Sequence, residues 1–209
     1  MVKGIIFDFD GVISDTEPFY TVSIIRYLKG LGYEESKDDC EKLCGVTAMY
    51  TAEHYKAKYN IPFSVEKIKE DMDVVFNTTT DFNSFVPMKG LIDFIDKAKS
   101  KGIRMCIASS SCYEYLERNL KFFNIFDYFE FIVSGEDLNK SKPDPYIYNH
   151  TAEKLGIPKD ELIIIEDSKN GIAAGKASGI KTYGLKASKI IQDTSNADVE
   201  VDSFDEIEI

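Results

Sequence analysis

Short apolar runs recur along the chain, and each is bounded by charged or turn-forming residues. A run of about four to eight apolar residues with such boundaries is typical of a strand buried in a parallel sheet. We therefore predict five strands, at Gly4–Phe9, Ile103–Ser109, Phe129–Ser134, Glu161–Asp167 and Ile180–Leu185.

Helical periodicity fills the segments between these strands. Apolar side chains recur every three or four residues in Gly90–Lys101, Tyr113–Phe123 and Pro145–Leu155. Glycines at four-residue intervals, Gly171, Gly175 and Gly179, indicate one more helix that lies close on the sheet. Strands that alternate with helices predict right-handed βαβ units, and so an α/β fold with a central parallel sheet covered on both faces.

The segment from residue 16 to residue 85 interrupts this alternation. Its periodicity is helical throughout, and Pro18 suits the first turn of a helix. We predict a helical domain at 16–85, inserted into a core domain made of residues 1–15 and 86–209. The sheet is expected to resume near Val86–Gly90, and the acidic tail Asp198–Ile209 is expected to form a final strand or helix.

Composition narrows the classes of function. The 209 residues carry a net charge of −11, and the only arginines are Arg26, Arg104 and Arg118. Such a chain repels nucleic acid and membrane surfaces, so we expect neither as a partner. No apolar stretch approaches the length of about 20 residues that a spanning helix needs. We expect no signal peptide, reduced cysteines, a cytoplasmic location and a monomer.

Carboxylates follow two of the predicted strands. Asp8 and Asp10 close the first strand, and Glu166 and Asp167 close the fourth. If these strands are neighbours, the four carboxylates meet in one crevice at the carboxyl edge of the sheet. Their mutual repulsion would be relieved by Mg²⁺, which favours carboxylate and phosphate oxygens. The alternative is two unrelated acidic loops on strands that lie apart.

Two further residues suit the binding of an anion. Ser109 ends the second strand, where its hydroxyl and the following amides face the start of the next helix. Ser110 or Ser111 is equally suited to cap that helix. Lys142 precedes Pro143 in a loop of restricted backbone, where a lysine is either a phosphate ligand or simply solvated.

Four segments, in this order and spacing, resemble the four motifs of the haloacid dehalogenase superfamily: FDFDGVISDTE, IASSS, SKPDP and IEDSKNGIAAGKASG. The chain is similar over nearly its whole length to the β-phosphoglucomutase-like phosphatases and phosphomutases of that superfamily. The resemblance implies a Rossmann-like, three-layer core with a helical cap inserted after the first strand. That organisation agrees with the interruption at residues 16–85.

The resemblance also implies a role for each motif residue. Asp8 would be the nucleophile that becomes an aspartyl-phosphate, and Asp10 the general acid and base. Ser109 and Lys142 would hold the phosphoryl oxygens, together with Gly11 and Ser110. The Mg²⁺ ligands would be Asp8, the backbone carbonyl of Asp10 and Asp167, with Glu166 either a ligand or a group behind the ligands. The implied activity is Mg²⁺-dependent hydrolysis of a small phosphorylated metabolite, with a sugar or polyol phosphate favoured.

A sugar phosphomutase is the alternative activity on the same fold. Mutases of this group commonly carry a histidine after the first motif and an arginine in the cap loop, where this chain has Tyr20 and Ala48. A cation elsewhere in the cap could replace that arginine; the candidates are Arg26, Lys56, Lys67 and Lys69.

Two other classes fit less well. A catalytically inactive phosphate sensor would not need the complete set of motif carboxylates, and a haloacid dehalogenase would need neither Mg²⁺ nor Asp10. The substrate is expected to depend on the cap, where the loop Gly45–Thr47 and the helix Phe19–Leu28 are predicted to face the leaving group.

Overall fold

The central sheet has six parallel strands in the order β3-β2-β1-β4-β5-β6. The computed structural model describes all 209 residues. Its strands are β1 Gly4–Phe7, β2 Arg104–Ser109, β3 Ile132–Ser134, β4 Leu162–Glu166, β5 Lys181–Leu185 and β6 Val199–Val201. All five predicted strands are present within the predicted ranges, and β6 comes from the acidic tail.

Eight α-helices accompany the sheet. Four lie between β1 and β2 and precede the first core helix: α1 Glu17–Gly30, α2 Lys37–Glu41, α3 Ala48–Tyr59 and α4 Val65–Thr79. The other four follow the strand–helix alternation: α5 Leu91–Ser100, α6 Tyr113–Phe122, α7 Tyr146–Leu155 and α8 Lys169–Ser178. None of these helices is both long enough and apolar enough to span a membrane.

Side chains of the strands alternate between two apolar layers. Ile5 and Phe7 of β1 belong to the larger core cluster, which includes the buried faces of α5 and α6. Ile6 belongs to a second cluster, which α7 and α8 complete on the opposite face of the sheet. Because helices cover both faces of the sheet, the strands read as continuous apolar runs, which confirms the predicted three-layer α/β core.

The four helices α1 to α4 form the predicted cap and have an apolar centre of their own, with nine buried residues. Pro18 stands in the first turn of α1, as predicted. The cap helices all fall within residues 16–85, while the exact domain limits stay a prediction.

The chain returns from the cap to the core differently from the prediction. No strand forms at Val86–Gly90; instead a single antiparallel bridge joins Ser14 to Pro87, and the Met88 amide donates to the Ile13 carbonyl oxygen. The two ends of the insertion are therefore tied to each other rather than to the sheet edge.

The small residues of α8 allow close contact with the core. A Cβ added at Gly171 would overlap the Glu166 carboxylate, and one added at Gly175 would lie 2.6 Å from Oγ1 of Thr182. Gly179 differs from the prediction, because it ends the helix in a left-handed conformation (φ 78°) with open space around it.

The acidic tail is anchored by its apolar positions. After β6, a 3₁₀ turn at Phe204–Glu206 follows, and Val201, Phe204 and Ile207 are buried in the larger core cluster. The acidic residues between them remain on the solvated side, so the tail closes the sheet edge without burying unpaired charge.

Candidate active site

The carboxyl ends of β1 and β4 meet at the centre of the sheet. Phe7 of β1 pairs in parallel register with Ile165 of β4, so the residues that follow each strand are neighbours. Carboxylate oxygens of Asp8, Glu166 and Asp167 all lie within 4.8 Å of one another, and all three residues are buried. The connections that follow β1 and β4 run in opposite directions along the sheet, which makes this edge the usual position for a ligand in such sheets.

Lys142 compensates part of this negative charge. Its ammonium nitrogen lies 2.7 Å from Oδ1 of Asp8 and 2.6 Å from Oε1 of Glu166, and its side chain is 1% exposed. Burial alone would lower the Lys142 pKa, but the charges of Asp8 and Glu166 outweigh it and hold that pKa well above its usual value. Of the two alternatives for this lysine, the structure excludes the solvated one.

Glu166 accepts a hydrogen bond from Lys142 and holds it in place. Its Oε1 accepts from Lys142 and from the Tyr148 hydroxyl at 2.7 Å. Its Oε2 accepts from the backbone amides of Asp167 and Ser168 and from the Ser168 hydroxyl, at 3.0–3.1 Å. Because both oxygens are already occupied by donors, the geometry favours a place for Glu166 behind the ligands rather than among them.

Asp167 has a carboxylate oxygen that is free to bind a metal ion. Its Oδ1 is buried without any hydrogen-bond partner. Burial and the charges of Glu166 and Asp8 raise the Asp167 pKa well above its usual value. A buried, unsatisfied carboxylate oxygen beside a second carboxylate is the donor set that a hard divalent cation prefers, so the residues present fit Mg²⁺.

Asp10 points its carboxylate to a different set of partners. Oδ2 accepts from the Ser111 hydroxyl at 2.7 Å, and Oδ1 accepts from the hydroxyls of Thr16 and of Tyr115, the latter at 3.3 Å. Burial raises the Asp10 pKa, and the three hydroxyls lower it in part. Since β1 ends at Phe7, the strict alternation of a strand no longer holds at Asp10. Its carboxylate therefore lies outside the group of three, and only its backbone carbonyl is left for the predicted metal role.

Gly11 has a role other than the predicted phosphate contact. Its amide donates to the Ser14 carbonyl oxygen at 2.8 Å, so the turn itself uses this donor. Its φ is 80°, and a Cβ at this position would overlap the Asp167 carboxylate. Glycine is required here because the backbone must pass close to Asp167 in a left-handed conformation.

The three serines after β2 divide their tasks. Ser109 is buried and its hydroxyl accepts from the Ser111 amide at 3.2 Å, which leaves its own proton for a ligand. The Ser110 hydroxyl donates to the Gly45 carbonyl oxygen, so only its amide remains for the predicted phosphate contact. Neither Ser110 nor Ser111 caps α6; the N-cap is Cys112, which makes no side-chain capping bond.

A cavity of about 380 Å³ opens above Asp8 and Asp10, between the core and the cap. The cavity is bordered by Gly45 and Val46 of the cap loop and by Ala48 at the start of α3. It is also bordered by the α1 residues Tyr20, Thr21, Ser23 and Ile24. Both cap segments predicted to face a leaving group therefore contribute to this cavity.

Core side chains hold the cap loop in place, which sequence reasoning did not anticipate. Each comes from a different segment that follows a strand at the carboxyl edge of the sheet, and Asn170 lies in the first turn of α8. The bonds are Ser110 Oγ to the Gly45 carbonyl (2.8 Å), the Thr47 amide to Ser141 Oγ (3.0 Å), Asn170 Nδ2 to the Cys44 carbonyl (2.9 Å) and Gln192 Nε2 to the Glu41 carbonyl (3.0 Å). Ser110, Ser141 and Asn170 lie within the motif segments, whereas nothing in the sequence marks Gln192.

An aromatic wall lines one side of the cavity. Tyr20 of α1 stacks on Phe76 of α4, with ring centres 4.0 Å apart, and Tyr115 of α6 meets both rings edge to face. Tyr20, which stands where a mutase histidine was the alternative, therefore contributes an aromatic ring to the cavity. Ala48, which stands where a mutase arginine was the alternative, contributes only a methyl group.

Only one of the two basic residues at the cavity was among the predicted candidates. Of the four candidates in the cap, Lys69 alone borders it, and Arg118 of α6 is a second, unforeseen basic residue there. Lys56 donates to the Ile61 and Phe63 carbonyls, and Lys67 pairs with Asp71 on the cap surface.

Comparison with known proteins identifies the family of the chain and confirms its fold. Residues 5–185 match the model of the haloacid dehalogenase-like hydrolases. A phosphorylated carbohydrates phosphatase from Thermotoga maritima is 29% identical over 189 residues, which cover 88% of this chain and 85% of that protein. Hexitol phosphatase B from Escherichia coli strain K12 is 27% identical, with 99% of this chain and 94% of that protein covered.

The same architecture occurs in solved structures. A β-phosphoglucomutase from Clostridium difficile superposes with a TM-score of 0.87 at 23% identity, covering 100% of this chain and 94% of that chain. At this level of identity, the likeness establishes the shared fold of core and cap and leaves the activity to the residues of the site.

Proposed function

The chain belongs to the haloacid dehalogenase-like hydrolase family and is a phosphoric monoester hydrolase of that family, and we propose that it is a Mg²⁺-dependent phosphatase of a small sugar or polyol phosphate. The observation that carries the proposal is the buried group of Asp8, Lys142, Glu166 and Asp167, in which one Asp167 oxygen lacks a partner. This group lies beneath a cavity large enough for a phosphorylated metabolite.

The metal would be held by Asp8, Asp167 and the backbone carbonyl of Asp10. When bound, Mg²⁺ would supply positive charge that offsets the phosphoryl oxygens and the nucleophile. Glu166 keeps Lys142 at the same edge of the site, so that a second positive charge faces the transferred group. Ser109, with its free hydroxyl proton, is suited to donate to a phosphoryl oxygen.

Asp8 is the proposed nucleophile. Lys142 donates to its Oδ1, which leaves Oδ2 for attack on phosphorus. The new bond joins Oδ2 to phosphorus, while the bond from phosphorus to the leaving-group oxygen breaks. This covalent step divides one difficult hydrolysis into two easier transfers.

Asp10 carries the proton in both halves of the reaction. Its raised pKa favours a carboxyl that donates a proton to the leaving oxygen. The resulting carboxylate then takes a proton from the water that attacks phosphorus, and inorganic phosphate leaves with the Asp8 carboxylate restored. The hydroxyls of Thr16, Ser111 and Tyr115 fix the orientation of this carrier between the two steps.

A sugar or polyol leaving group is supported by the relatives and by the wall of the cavity. The Thermotoga maritima and Escherichia coli relatives are named for phosphorylated carbohydrates and hexitols. The stacked rings of Tyr20 and Phe76 provide a flat apolar surface against which the C–H face of a carbohydrate can pack.

A cytoplasmic location is also part of the proposal. The four cysteines form no disulfide, which agrees with it.

A phosphomutase is the rival proposal. It requires a cap cation that holds a second phosphate while the intermediate reverses. The one cap lysine at the cavity, Lys69, is already paired with Asp73 and Glu136, and Ala48 has no charge. These contacts favour the phosphatase.

The test is phosphate release from a panel of monophosphates in the presence of Mg²⁺. We expect sugar and polyol phosphates to exceed nucleotides and phosphorylated amino acids in kcat/KM. Asp8→Asn serves as the inactive control for contaminating phosphatases. A panel in which no monophosphate is hydrolysed above that control would refute the proposal.

A further inference from the structure

The charged residues at the cavity are unevenly distributed. Six of those that border it are acidic and two are basic. Asp8 and Asp10 belong to the reacting end. The other six charged residues at the cavity are Glu17, Lys69, Asp73, Glu114, Arg118 and Glu136.

Lys69 is committed to carboxylates on both sides of the cavity. Its ammonium nitrogen lies 2.9 Å from Oδ2 of Asp73, one turn further along α4, and 3.4 Å from Oε2 of Glu136. Glu136 belongs to the core, in the 3₁₀ turn after β3, so the three residues bridge cap and core. Two carboxylates against one ammonium leave this cluster with a net negative charge.

The other charged groups do not reverse that sign. Glu17 accepts from the Gly45 amide at 3.3 Å. Arg118 has Glu114 one turn before it on α6, and its guanidinium carbon lies 4.0 Å from the centre of the Phe82 ring. Glu114 and Arg118 are both exposed and carry opposite charges, so together they add no net charge.

We infer that the cluster of Lys69, Asp73 and Glu136 selects leaving groups by charge: it accepts neutral, hydroxyl-rich or cationic groups and rejects those with a second anion. Carboxylate oxygens accept hydrogen bonds from sugar and polyol hydroxyls. A carboxylate or second phosphate on the substrate would face the net negative charge instead, which discriminates by repulsion. The inference rests on the proposed phosphatase activity and adds a selection rule to it.

The experiment compares substrates that differ in charge at the far end. The pairs are glycerol 3-phosphate with 3-phosphoglycerate, and glucose 6-phosphate with 6-phosphogluconate; glucosamine 6-phosphate supplies a cationic group. We expect kcat/KM for each carboxylated member to be lower by about tenfold, a moderate factor because the carboxylates are partly exposed and screened by salt. Glucosamine 6-phosphate is expected to equal or exceed glucose 6-phosphate.

Variants locate the effect. Asp73→Asn and Glu136→Gln each remove one negative charge, so the ratio of carboxylated to neutral substrate should rise severalfold in each. Lys69→Met should lower the ratio further. Asp71→Asn is the matched control, because Asp71 pairs with Lys67 at the same spacing on α4 but does not border the cavity. Its ratio and its turnover of p-nitrophenyl phosphate should equal those of the wild type.

The failures of the two proposals are distinguishable. Absence of Mg²⁺-dependent turnover of p-nitrophenyl phosphate would refute the phosphatase itself. With that turnover present, three results would overturn the selection rule alone: equal or better turnover of the carboxylated substrates, ratios unchanged in both Asp73→Asn and Glu136→Gln, or no hydrolysis of either pair. A selective loss of carboxylated substrates in Arg118→Met would also overturn it, since Arg118 would then bind the second anion.

Discussion

The Lys142 ammonium lies 2.7 Å from Oδ1 of Asp8, although 134 residues separate them in the chain. Both side chains are withdrawn from solvent, at 1% and 4% exposure. The pair places a fixed positive charge beside the proposed nucleophile before any substrate arrives. Preorganised charge of this kind stabilises a transition state without a reorganisation cost at the moment of reaction.

Replacing Lys142 by methionine should therefore impair both catalysis and folding. We expect kcat/KM to fall by the equivalent of about 2.7–4 kcal/mol, the usual cost of losing one preorganised contact to the reacting group. Unfolding free energy should fall by about 3–5 kcal/mol, because Asp8 and Glu166 lose their buried partner. The measurements are steady-state kinetics and urea denaturation. Lys140→Met is the matched control, since Lys140 pairs with Asp144 at the surface; equal effects of the two variants would contradict the assignment.

Asp8→Asn should abolish turnover while preserving the fold. The amide is nearly isosteric but a poor nucleophile, so we expect a loss of about three orders of magnitude or more. Burial and the neighbouring Glu166 charge raise the Asp8 pKa, so removal of this carboxylate should leave the metal-free protein at least as stable. Acid quenching followed by mass spectrometry should detect a phosphorylated wild-type chain and none in the variant. Asp15→Asn, which alters a contact to Ser188, is the control.

Removal of Mg²⁺ should stop the reaction and lower the melting temperature. Burial and mutual repulsion raise the pKa values of Asp8 and Asp167, and one Asp167 oxygen has no hydrogen-bond partner; a bound cation would offset both costs. Excess EDTA should abolish hydrolysis of p-nitrophenyl phosphate, and added Mg²⁺ should raise the melting temperature at constant ionic strength. Asp167→Asn should lose most of that thermal response. Turnover that persists in excess EDTA would contradict the metal assignment.

Glu17 should make stability depend on pH. Burial, assisted by the charge of Asp10, raises the pKa of Glu17 from 4.5 to about 8. The folded protein holds this proton more tightly than the unfolded chain does. The Glu17 contribution is therefore least unfavourable below pH 4.5 and becomes steadily more destabilising as the pH rises toward 8.

Glu17→Gln cannot ionise and keeps an acceptor for the Gly45 amide. We expect its melting temperature to gain on the wild type progressively between pH 5 and pH 8. Thermal melts at four pH values and constant ionic strength measure this difference. Glu53→Gln, at an exposed position of α3, is the control: its melting temperature should differ from that of the wild type by the same amount at every pH. A difference between Glu17→Gln and wild type that does not change with pH would show that Glu17 ionises normally.

β-Glucose 1-phosphate with a trace of its bisphosphate distinguishes phosphatase from mutase. We expect free phosphate or no reaction, and no glucose 6-phosphate, because Ala48 is uncharged and Lys69 is already paired with two carboxylates. A coupled assay for glucose 6-phosphate is run beside a free-phosphate assay on the same sample. Rapid isomerisation with negligible free phosphate would reverse the ranking and assign the second phosphate to Lys69 or Arg118.

The sequence by itself determined the layers of the core and predicted which carboxylates end the central strands. β1 and β4 are buried on both faces, so residues 4–7 and 162–165 appear as unbroken apolar runs. The proximity of Asp8 and Asp167 could be predicted because both carboxylates follow such runs. The cap was recognisable because a long helical stretch interrupts the alternation after β1.

Only the tertiary structure decided how the polar groups divide among partners. Asp8 and Asp10 are two residues apart, yet one faces Lys142 and the other faces three hydroxyls. Likewise, the Gly11 amide and the Ser110 hydroxyl are used by the turn and by the cap loop. The side chains that hold that loop, and the pairing of Lys69 with Glu136 across cap and core, come from distant segments. Local sequence encodes burial and period, whereas hydrogen-bond partners depend on which loops the sheet order brings together.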